Sequence, residues 1–306
     1  MTQSSSLSEQ VILITGASAG IGAALAQRLA TEFLNIRLVL AARNREKLET
    51  VATHCRKAGA DVLVIPTDMA QLEQVKALAQ LALESFGRVD ALVNNAGYGQ
   101  MGPAELIPPE YAKQQFAVNF HGPLTLTQAL IPTMRHQGGG RIINVSSLGG
   151  RLAFPSGGMY SASKFALEAL SDVLRMELEG FNIKVSVIEP GPVKTEFFQV
   201  ASEQVAKTVP KPEETPYRAA IGAIKEMEQR TAALTWSAQQ VAVVIEKALT
   251  ENNPRPRYIA ATGGKTMLFL MTKLLPRKLV DLFWQRFYSV DQVARDWELR
   301  SRGIKN

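Results

Sequence analysis

The 306-residue sequence contains one cysteine, Cys55, and three histidines. A single cysteine has no partner within the chain, so the sequence excludes an intrachain disulfide framework, and we expect a reducing compartment. His54, His121 and His136 lack the spacing of metal ligands, so no metal site is predicted. Because 46% of the residues are hydrophobic and 20% are charged, the chain can build an ordinary globular core without a disulfide or a metal.

Long apolar runs and long basic runs are also missing. Without about 18 consecutive apolar residues, no membrane-spanning helix is predicted. Residues 1–10 are polar and Ser-rich, which predicts a flexible N-terminus without a signal peptide, and therefore a cytoplasmic protein. The formal net charge of +6 favours ligands that carry phosphate, or an anionic membrane surface. Since Lys and Arg are spread thinly, however, we expect no nucleic-acid partner.

Short apolar runs alternate with helical patterns along most of the chain. Strands are predicted at 11–14, 37–41, 62–65, 89–93, 141–145, 183–188 and 257–260. Helices are predicted at 21–33, 44–57, 72–86, 109–135, 160–178 and 237–249, the last with Ser237 as its N-cap. Runs of consecutive apolar residues between helices are typical of a parallel sheet that is covered on both faces. The predicted fold is therefore a doubly wound, Rossmann-type α/β domain.

The regular alternation weakens after Gly191. A helical pattern continues over 197–230 with an interruption at 210–216, and no internal repeat is present. From Thr262 onward the sequence has no further strand pattern and is predicted to be helical. We therefore predict one domain over residues 11–261, followed by a helical C-terminal extension over residues 262–306.

A glycine-rich turn, TGASAGIG at residues 15–22, connects the first predicted strand to the first predicted helix. Glycines permit a tight turn and let backbone N–H groups approach a pyrophosphate, which the helix N-terminus also attracts. A plain strand–helix turn is the alternative. The spacing T-G-x-x-x-G-x-G, rather than the commoner G-x-G-x-x-G, resembles that of the short-chain dehydrogenase/reductase family. That resemblance implies a dinucleotide-binding and catalytic domain. The resemblance also implies that the cofactor is contacted by five residues of this turn: Gly16, Ser18, Gly20, Ile21 and Gly22.

Tyr160 and Lys164 stand four residues apart at the start of a predicted helix, so they share one face. A tyrosine phenol has an unperturbed pKa near 10, which is too high for ready proton exchange at neutral pH. An ammonium group beside the phenol lowers that pKa. An isolated pair of this kind is usually a surface contact. At this distance from the glycine-rich turn, however, Y-x-x-x-K resembles the catalytic signature of the same family.

The resemblance implies a reaction and a catalytic set. Hydride passes between the nicotinamide and an alcohol or carbonyl carbon, while Tyr160 exchanges a proton with the substrate oxygen. Lys164 binds the nicotinamide ribose and lowers the pKa of Tyr160. Ser147, which lies thirteen residues before Tyr160 as in the family pattern, polarises the substrate oxygen. Asn119 matches the asparagine that anchors a water between the lysine and solvent; a satisfied core amide or a helix-bending residue is the alternative.

Further cofactor contacts are implied by position in the family pattern. Asp68 matches the residue that faces the adenine. The turn NNAG at 94–97 matches the one that closes on the adenosine ribose, although its residues alone indicate only a strand-ending turn. The segment PGPVKT at 190–195 matches the one that holds the nicotinamide carboxamide. In these segments the residues predicted to contact the cofactor are Asn95, Ala96, Gly97, Pro190, Gly191, Val193 and Thr195, together with Tyr160 and Lys164.

The residues after the second predicted strand bear on which dinucleotide is bound. NAD-preferring folds place a carboxylate about 20 residues after the glycines, where this sequence has Ala42. The next residue, Arg43, could hold a 2′-phosphate through its planar fork, and it resembles the arginine of NADP-preferring family members. A second basic residue found in some relatives is absent, because Ala19 occupies its position. A solvated arginine at a helix start is the alternative. NADP is therefore the predicted cofactor, with NAD as the other candidate.

The predicted substrate is a small apolar alcohol or carbonyl compound. The loop at 148–155, Met159, Phe197 and Phe198 would form an apolar wall beside the nicotinamide. Residues 160–178 also resemble, more loosely, the same segment of steroid- and retinol-converting family members. A steroid, a retinoid or a fatty ketone is therefore expected.

The C-terminal extension leaves several interpretations open. Its apolar residues are mixed with Lys273, Arg277 and Lys278, and Pro276 divides it in two. It could pack on its own domain, lie on a membrane surface, cover the substrate, or contact another subunit of an expected homo-oligomer. Two alternatives to an enzyme are a non-catalytic NADP-binding sensor, which typically loses the tyrosine or the lysine, and a membrane-associated protein on the same fold.

Overall fold

The computed structural model describes residues 7–301, with side chains as far as residue 298. Residues 1–6 of the segment predicted to be flexible lie outside this range, as do residues 302–306 of the predicted extension. The described strands are β1 (Val11–Thr15), β2 (Arg37–Ala42), β3 (Asp61–Pro66), β4 (Ala91–Asn94), β5 (Gly140–Val145), β6 (Ile183–Pro190), β7 (Val193–Lys194), β8 (Trp236–Ser237) and β9 (Arg257–Ala260).

Helices connect these strands and cover both faces of the sheet. Within residues 7–301 the α-helices are α1 (Gly20–Glu32), α2 (Arg45–Lys57), α3 (Leu72–Phe86), α4 (Pro109–Phe116), α5 (Gly122–His136), α6 (Gly158–Leu178), α7 (Phe197–Thr208), α8 (Arg218–Lys225), α9 (Met227–Arg230), α10 (Ala238–Thr250), α11 (Gly264–Phe269), α12 (Arg277–Phe287) and α13 (Val293–Ser301). None of the described helices is both long enough and apolar enough to cross a membrane.

Seven of the described strands form one parallel sheet in the order β3-β2-β1-β4-β5-β6-β9. The strands are short runs of apolar residues; all five residues of β1 are buried, because helices lie on both faces. One layer of the core contains α1, α2 and α10, and the other contains α3, α5 and α6. These observations confirm the predicted doubly wound α/β fold.

The sheet order determines where a ligand can bind. β1 has β2 on one side and β4 on the other, so the chain leaves the β1–β3 half and returns on the opposite side of β1. In a doubly wound sheet, the crevice for a ligand opens at such a switch point, beyond the carboxyl ends of the strands. The loops that follow β1, β4, β5 and β6 therefore converge at this carboxyl edge.

The helix predicted over 109–135 is interrupted in the structure. A π-helical segment, Ala117–His121, separates α4 from α5. Pro123 lies in the first turn of α5 and has no backbone N–H, so regular i→i−4 bonding cannot continue through it. The N–H of Gly122 instead donates to Ala117 O, five residues back. Such segments inside α-helices occur frequently at functional sites.

Two further details refine the sequence-based boundaries. The predicted N-cap Ser237 is confirmed, since its side chain accepts from Gln240 N and Gln240 reciprocates in a capping box. The small pair β7–β8 is not predicted, because each strand has only two residues. It carries the chain after β6 back beside α10.

Candidate active site

The glycine-rich turn leaves little room for a side chain at its glycine positions. A Cβ at Gly22 would lie 2.4 Å from Gly16 O, and Gly16 and Gly20 adopt positive φ of 67° and 55°. Ala19, the N-cap of α1, makes no side-chain cap hydrogen bond, so the cap residue itself does not occupy the N-terminal amides of that helix. An open helix N-terminus behind a close-packed glycine turn fits a pyrophosphate. Ser18 and Ile21 are half-buried in the same turn.

The turn after β4 fixes the glycine-rich turn to the sheet. Asn95 Nδ2 donates to Thr15 O at 2.9 Å, and Thr15 Oγ1 accepts from the backbone N–H groups of Asn95 and Ala96 at 3.0 Å each. The Asn95 side chain is therefore committed to the protein rather than to a ligand. This agrees with a role in steadying the sheet. A contact of Asn95, Ala96 or Gly97 with the adenosine ribose stays a prediction.

The polar residues after β2 and β3 lie at the same edge. Arg43 is exposed directly after β2 and is close enough to Tyr98 to oppose the burial that raises the pKa of that phenol to about 12. Asp68 Oδ1 accepts from Ala70 N at 3.0 Å, which leaves its other carboxylate oxygen for a further partner. Tyr98 is a neighbour of Arg43 that the sequence pattern did not reveal.

Tyr160 is buried, with 8% of its surface exposed, beside Ser147. Burial raises the pKa of the Tyr160 phenol to about 12, and a hydrogen bond with Ser147 partly offsets that shift. The net direction is opposite to the one expected from the Tyr–Lys pairing, because desolvation of the phenolate outweighs the favourable neighbours. The Ser147 hydroxyl accepts from Gly149 N at 3.0 Å, which fixes its position.

Lys164 lies beneath the same surface and is also buried. Its ammonium donates to Val145 O at 2.8 Å, so two of its three donors remain for other partners. Burial lowers the pKa of Lys164 to about 8, while the negative charge of Glu168 opposes that shift. A Cβ at Gly97 would lie 3.4 Å from Lys164 Nζ, so the ammonium reaches the edge where the ribose is expected.

Asn119 sits in the π-helical segment and is buried. Its Oδ1 accepts from Tyr98 N at 3.2 Å, and its Nδ2 donates to Tyr98 O at 3.1 Å and to Ser163 Oγ at 3.1 Å. The Ser163 hydroxyl donates in turn to Tyr160 O at 2.7 Å. Asn119 thus connects the loop after β4 to the first turn of α6. A water between Lys164 and solvent stays a prediction.

The segment after β6 also lies at the carboxyl edge of the sheet. Pro190 O lies 3.5 Å from Ser147 Oγ, and a Cβ at Gly191 would lie 2.8 Å from Ala261 Cβ. Thr195 approaches the glycine-rich turn, since a Cβ at Gly20 would lie 3.1 Å from its methyl carbon. Pro190, Gly191 and Thr195 therefore lie at the same edge, whereas Val193 is buried in β7. Contacts of these four residues with a cofactor stay predictions.

A partly buried network of charges behind Lys164, in which only Glu168 and Glu189 are fully buried, was not predicted. Arg257 of β9 contacts Glu168 at 3.1 Å and Asp172 at 2.6 Å, both on α6, and Glu189 of β6 at 3.4 Å. Arg151 contacts Glu189 at 2.9 Å. Burial raises the pKa of the Glu168 carboxyl. The only signal in the sequence was the position of Glu168, one helical turn after Lys164.

The comparisons with known proteins agree with this geometry. The family model described as short chain dehydrogenase matches residues 10–206. The chain belongs to the short-chain dehydrogenase/reductase family. It is 36% identical over 188 residues to 3-ketodihydrosphingosine reductase of Bacteroides thetaiotaomicron, covering 61% of this chain and 65% of that protein.

Two solved structures of short-chain dehydrogenase/reductases match most of the chain. An enzyme of Burkholderia phymatum in complex with NAD has a TM-score of 0.76 and 29% identity, covering 87% of this chain and 93% of that one. A metagenomic enzyme in complex with NADP has a TM-score of 0.66 and 31% identity, covering 83% and 98%. This short-chain dehydrogenase/reductase is therefore a pyridine-nucleotide oxidoreductase that acts on a small molecule, rather than a non-catalytic sensor.

The predicted site residues are assembled by the fold rather than scattered. The glycine-rich turn, the loop after β4, the Ser147 loop and the start of α6 all border the carboxyl edge at β1 and β4. The donors and close backbone approaches of this edge fit a nicotinamide dinucleotide. Among residues 7–301, no cluster of three or more His, Cys, Asp or Glu side chains could hold a metal ion.

Proposed function

We propose that this chain is an NADP(H)-dependent oxidoreductase that interconverts an apolar alcohol and its carbonyl counterpart. The observation that carries this proposal is the position of the Tyr160 hydroxyl. The Tyr160 side chain lies close enough to Ser147 for the serine to affect its pKa, and it packs within an apolar cluster at the edge where the dinucleotide fits. A phenol in such a place can exchange a proton with a substrate oxygen while water is excluded.

The catalytic roles follow from the protonation states of the side chains. The nicotinamide, when bound, supplies or accepts the hydride. Because its pKa is raised to about 12, the Tyr160 phenol keeps its proton at neutral pH, which is the form that donates to a carbonyl oxygen. Ser147 would donate a second hydrogen bond to that oxygen, and Lys164 would bind ribose hydroxyls. Tyr160 therefore carries the proton that reduction of a carbonyl group requires.

The cofactor preference rests on the charges after β2. Ala42 offers no carboxylate to bind a ribose diol, and the exposed guanidinium of Arg43 can pair with a 2′-phosphate. Arg43 is near enough to Tyr98 for its charge to oppose the rise in the pKa of that phenol. We therefore propose NADP(H) as the preferred dinucleotide.

The substrate side of Tyr160 is apolar. The Phe197 ring packs edge-on against the Tyr160 ring, with centroids 5.4 Å apart, and Met101, Phe154 and Ile224 belong to the same cluster. A pocket of this composition suits a lipophilic carbonyl compound of the steroid, retinoid or fatty ketone type. The relative 3-ketodihydrosphingosine reductase, whose name gives a long-chain ketone as its substrate, supports the fatty ketone most directly.

We also propose that the extension from residue 262 acts as a lid over the substrate. Tyr288 stacks on Phe154 with centroids 5.3 Å apart, and Trp284 contacts Phe154 at 6.1 Å. Phe154 lies in the loop that separates Ser147 from Tyr160. The Trp284 indole N–H is buried without an acceptor among the described residues, so an oxygen of the substrate could satisfy it.

The decisive experiment combines a substrate panel with one substitution. Purified protein is supplied with NADPH and with steroids, retinoids, fatty ketones and quinones, and cofactor oxidation is followed by absorbance. Tyr160→Phe should lower kcat by at least about 100-fold, because it removes only the proton donor, while the Kd for NADPH stays within a few-fold. Tyr217→Phe, which alters a phenol bonded to Glu105 instead, is the control. Activity of Tyr160→Phe within tenfold of wild type would refute the assignment.

The solvent-exposed side of α6 supports the expected homo-oligomer. Ala162, Phe165, Ala169, Val173 and Met176 recur at helical spacing and are exposed, Met176 by 60%. A second copy could cover this apolar row. Light scattering of wild type and of Val173→Glu should show a larger particle for wild type; a monomeric wild type would contradict the proposal.

A cytoplasmic location is also proposed. Cys55 is free and buried, and burial raises the pKa of its thiol to about 11, so it is unreactive. A buried free thiol fits a reducing compartment. Cell fractionation tests this location. Recovery of the protein in fractions other than the cytoplasm and the cytoplasmic face of the membrane would contradict it.

A further inference from the structure

The extension has two apolar faces, and only one of them is used by the fold. Leu268, Val280 and Tyr288 are buried against the domain, and Trp284 is half-buried. On the opposite side lie large apolar side chains that are between 36% and 61% exposed: Phe269, Leu270, Leu274, Leu275, Leu279, Leu282 and Phe283. The lid proposed above accounts for the inner face alone.

The exposed residues, named here the outer face, follow one another closely along residues 269–283. On α12, Leu279, Leu282 and Phe283 are three and four residues apart and therefore share one side of the helix. Leu274 and Leu275 join them to Phe269 along the chain. Single exposed apolar residues need no explanation, but contiguous ones on a folded domain mark a site of association.

The charges around the outer face are mostly positive. Residues 264–287 contain five basic residues and one acidic residue. The acidic residue, Asp281, is paired with Arg277 at 3.0 Å, so Lys265, Lys273, Lys278 and Arg286 remain as exposed cations. Viewed along the axis of α12, Arg286 lies at an angle between those of Leu282 and Phe283. A long side chain in this position can lie along apolar surface and keep its charge in water.

The exposed apolar side chains and the basic residues together indicate what binds the outer face. An apolar helical face bordered by Lys and Arg is the pattern of a helix that lies in the headgroup region of a bilayer. A second copy is disfavoured, because a symmetric dimer would place the same cations of both chains against each other. The apolar row on α6, which lacks this excess of basic residues, is the better surface for a subunit. We propose that the outer face docks on an anionic membrane surface.

Docking would connect the membrane to the substrate pocket, and this step rests on the proposed function. The same helix, α12, presents Leu279 and Phe283 outward and Trp284 inward, beside Phe154 of the substrate loop. Insertion of the outer face into the headgroup region would place the entrance of the pocket at the lipid surface. An apolar carbonyl substrate could then enter from the bilayer without crossing water.

The test uses vesicle flotation with the full chain. Vesicles of phosphatidylcholine with phosphatidylglycerol should float wild-type protein, whereas pure phosphatidylcholine vesicles should float much less, and added salt should weaken binding. Leu274→Ser combined with Leu279→Ser should reduce the floated fraction by about tenfold. Lys273→Glu combined with Lys278→Glu should do the same, because it removes attraction to the lipid headgroups.

The control is a matched apolar substitution elsewhere. Leu34→Ser combined with Leu81→Ser alters exposed apolar residues that lie outside both the extension and α6, and it should leave flotation unchanged. Failure of wild type to float with anionic vesicles, or equal flotation of all variants, would overturn the proposal. So would a shift of the outer-face variants from dimer to monomer by light scattering, since a second copy would then be the occupant.

Different results would refute the membrane-docking proposal and the proposed oxidoreductase function. Outer-face variants should retain NADPH oxidation with a small water-soluble ketone and an unchanged Tm, because the substituted side chains are exposed. They should lose activity only toward a ketone presented in vesicles. If instead no variant and no wild-type preparation oxidises NADPH with any ketone, the proposed function is wrong, while flotation still reports on the membrane.

Discussion

Burial moves the pKa values of the active-site side chains away from their values in water. Burial raises the pKa of Tyr160 to about 12 and lowers that of Lys164 to about 8. Both shifts favour the neutral form, since a low-dielectric environment penalises the phenolate and the ammonium alike. The sequence-based expectation considered only the attraction between the two residues. The structure adds desolvation, and desolvation is the larger effect.

Glu168 is a positioning residue whose charge acts through Lys164. Because Glu168 raises the pKa of the ammonium, Glu168→Gln should lower that pKa and move the alkaline limb of the kcat/KM pH profile to lower pH. Glu168→Asp should restore much of the profile. Asp172→Asn is the control, since Asp172 contacts the same Arg257 but does not shift Lys164. An unchanged profile in Glu168→Gln would show that its role is structural only.

Arg43 should determine which dinucleotide is preferred. A charge-assisted bond to a phosphate contributes roughly 1.5–3 kcal/mol, so Arg43→Ala should raise the KM for NADPH by about 10- to 150-fold and leave that for NADH unchanged. Ala42→Asp should shift the preference toward NADH, because a carboxylate can bind the ribose diol. Arg56→Ala removes the same charge from the far end of α2 and serves as the control. Equal KM values in Arg43→Ala and wild type would place the phosphate contact elsewhere.

At the scale of whole elements, the C-terminal helices are part of the domain surface rather than a separate appendage. Leu268 and Trp284 pack against Leu148 and Leu152 of the loop that follows Ser147. Arg230 also donates to Phe287 O at 2.6 Å. Removal of the extension would therefore expose the substrate loop, so a deletion after Ala260 would mix loss of the lid with loss of stability. Point substitutions separate the two effects.

Tyr288→Ala and Trp284→Ala should open the lid. Each removes an aromatic contact with Phe154 of a kind that contributes roughly 0.5–1.5 kcal/mol. We expect the KM for bulky apolar ketones to rise by about 3- to 10-fold, with little change for small ketones or for NADPH. Trp297→Ala, in the same extension but 59% exposed, is the control. If KM rises equally for bulky and small substrates, the extension supports the site only indirectly.

At the scale of the whole molecule, the buried lysine links catalysis to stability. The pKa of Lys164 in the folded chain, about 8, is below the ordinary value of 10.5. Between these values the unfolded chain binds more protons, so the free energy of unfolding rises with pH. Near pH 7 the ammonium is present in both states, and its burial costs stability. Catalysis is thus served by a group that weakens the fold.

Lys164→Met should remove this pH dependence. Without cofactor, the free energy of unfolding of wild type should rise by about 2 kcal/mol relative to the variant between pH 8 and pH 10. Near pH 7 the variant should be at least as stable as wild type, although it should lack turnover. Denaturant titrations at several pH values measure the difference. Parallel pH curves for the two proteins would show that the ammonium is not desolvated in the free enzyme.

Patterns that are local in sequence determined the fold and the catalytic pair. Consecutive apolar residues specify buried parallel strands, the glycine spacing specifies the turn after β1, and four-residue spacing places Tyr160 and Lys164 on one face. Helix α3 and strand β9 have the predicted boundaries, Leu72–Phe86 and Arg257–Ala260. Each of these features depends on residues within a few positions of one another, so backbone geometry alone relates them.

Features that depend on distant residues were decided only by the tertiary structure. Arg257 meets Glu168 across 89 positions of the chain, and no local spacing reports such a contact. The direction of the Tyr160 pKa shift likewise depends on how completely Phe197 and the neighbouring cluster exclude water. The extension shows the same division: its sequence indicated apolar helices, but only packing separates the face that covers Phe154 from the face that stays exposed. Burial is a property of the assembled chain, and that is why composition and spacing could not supply it.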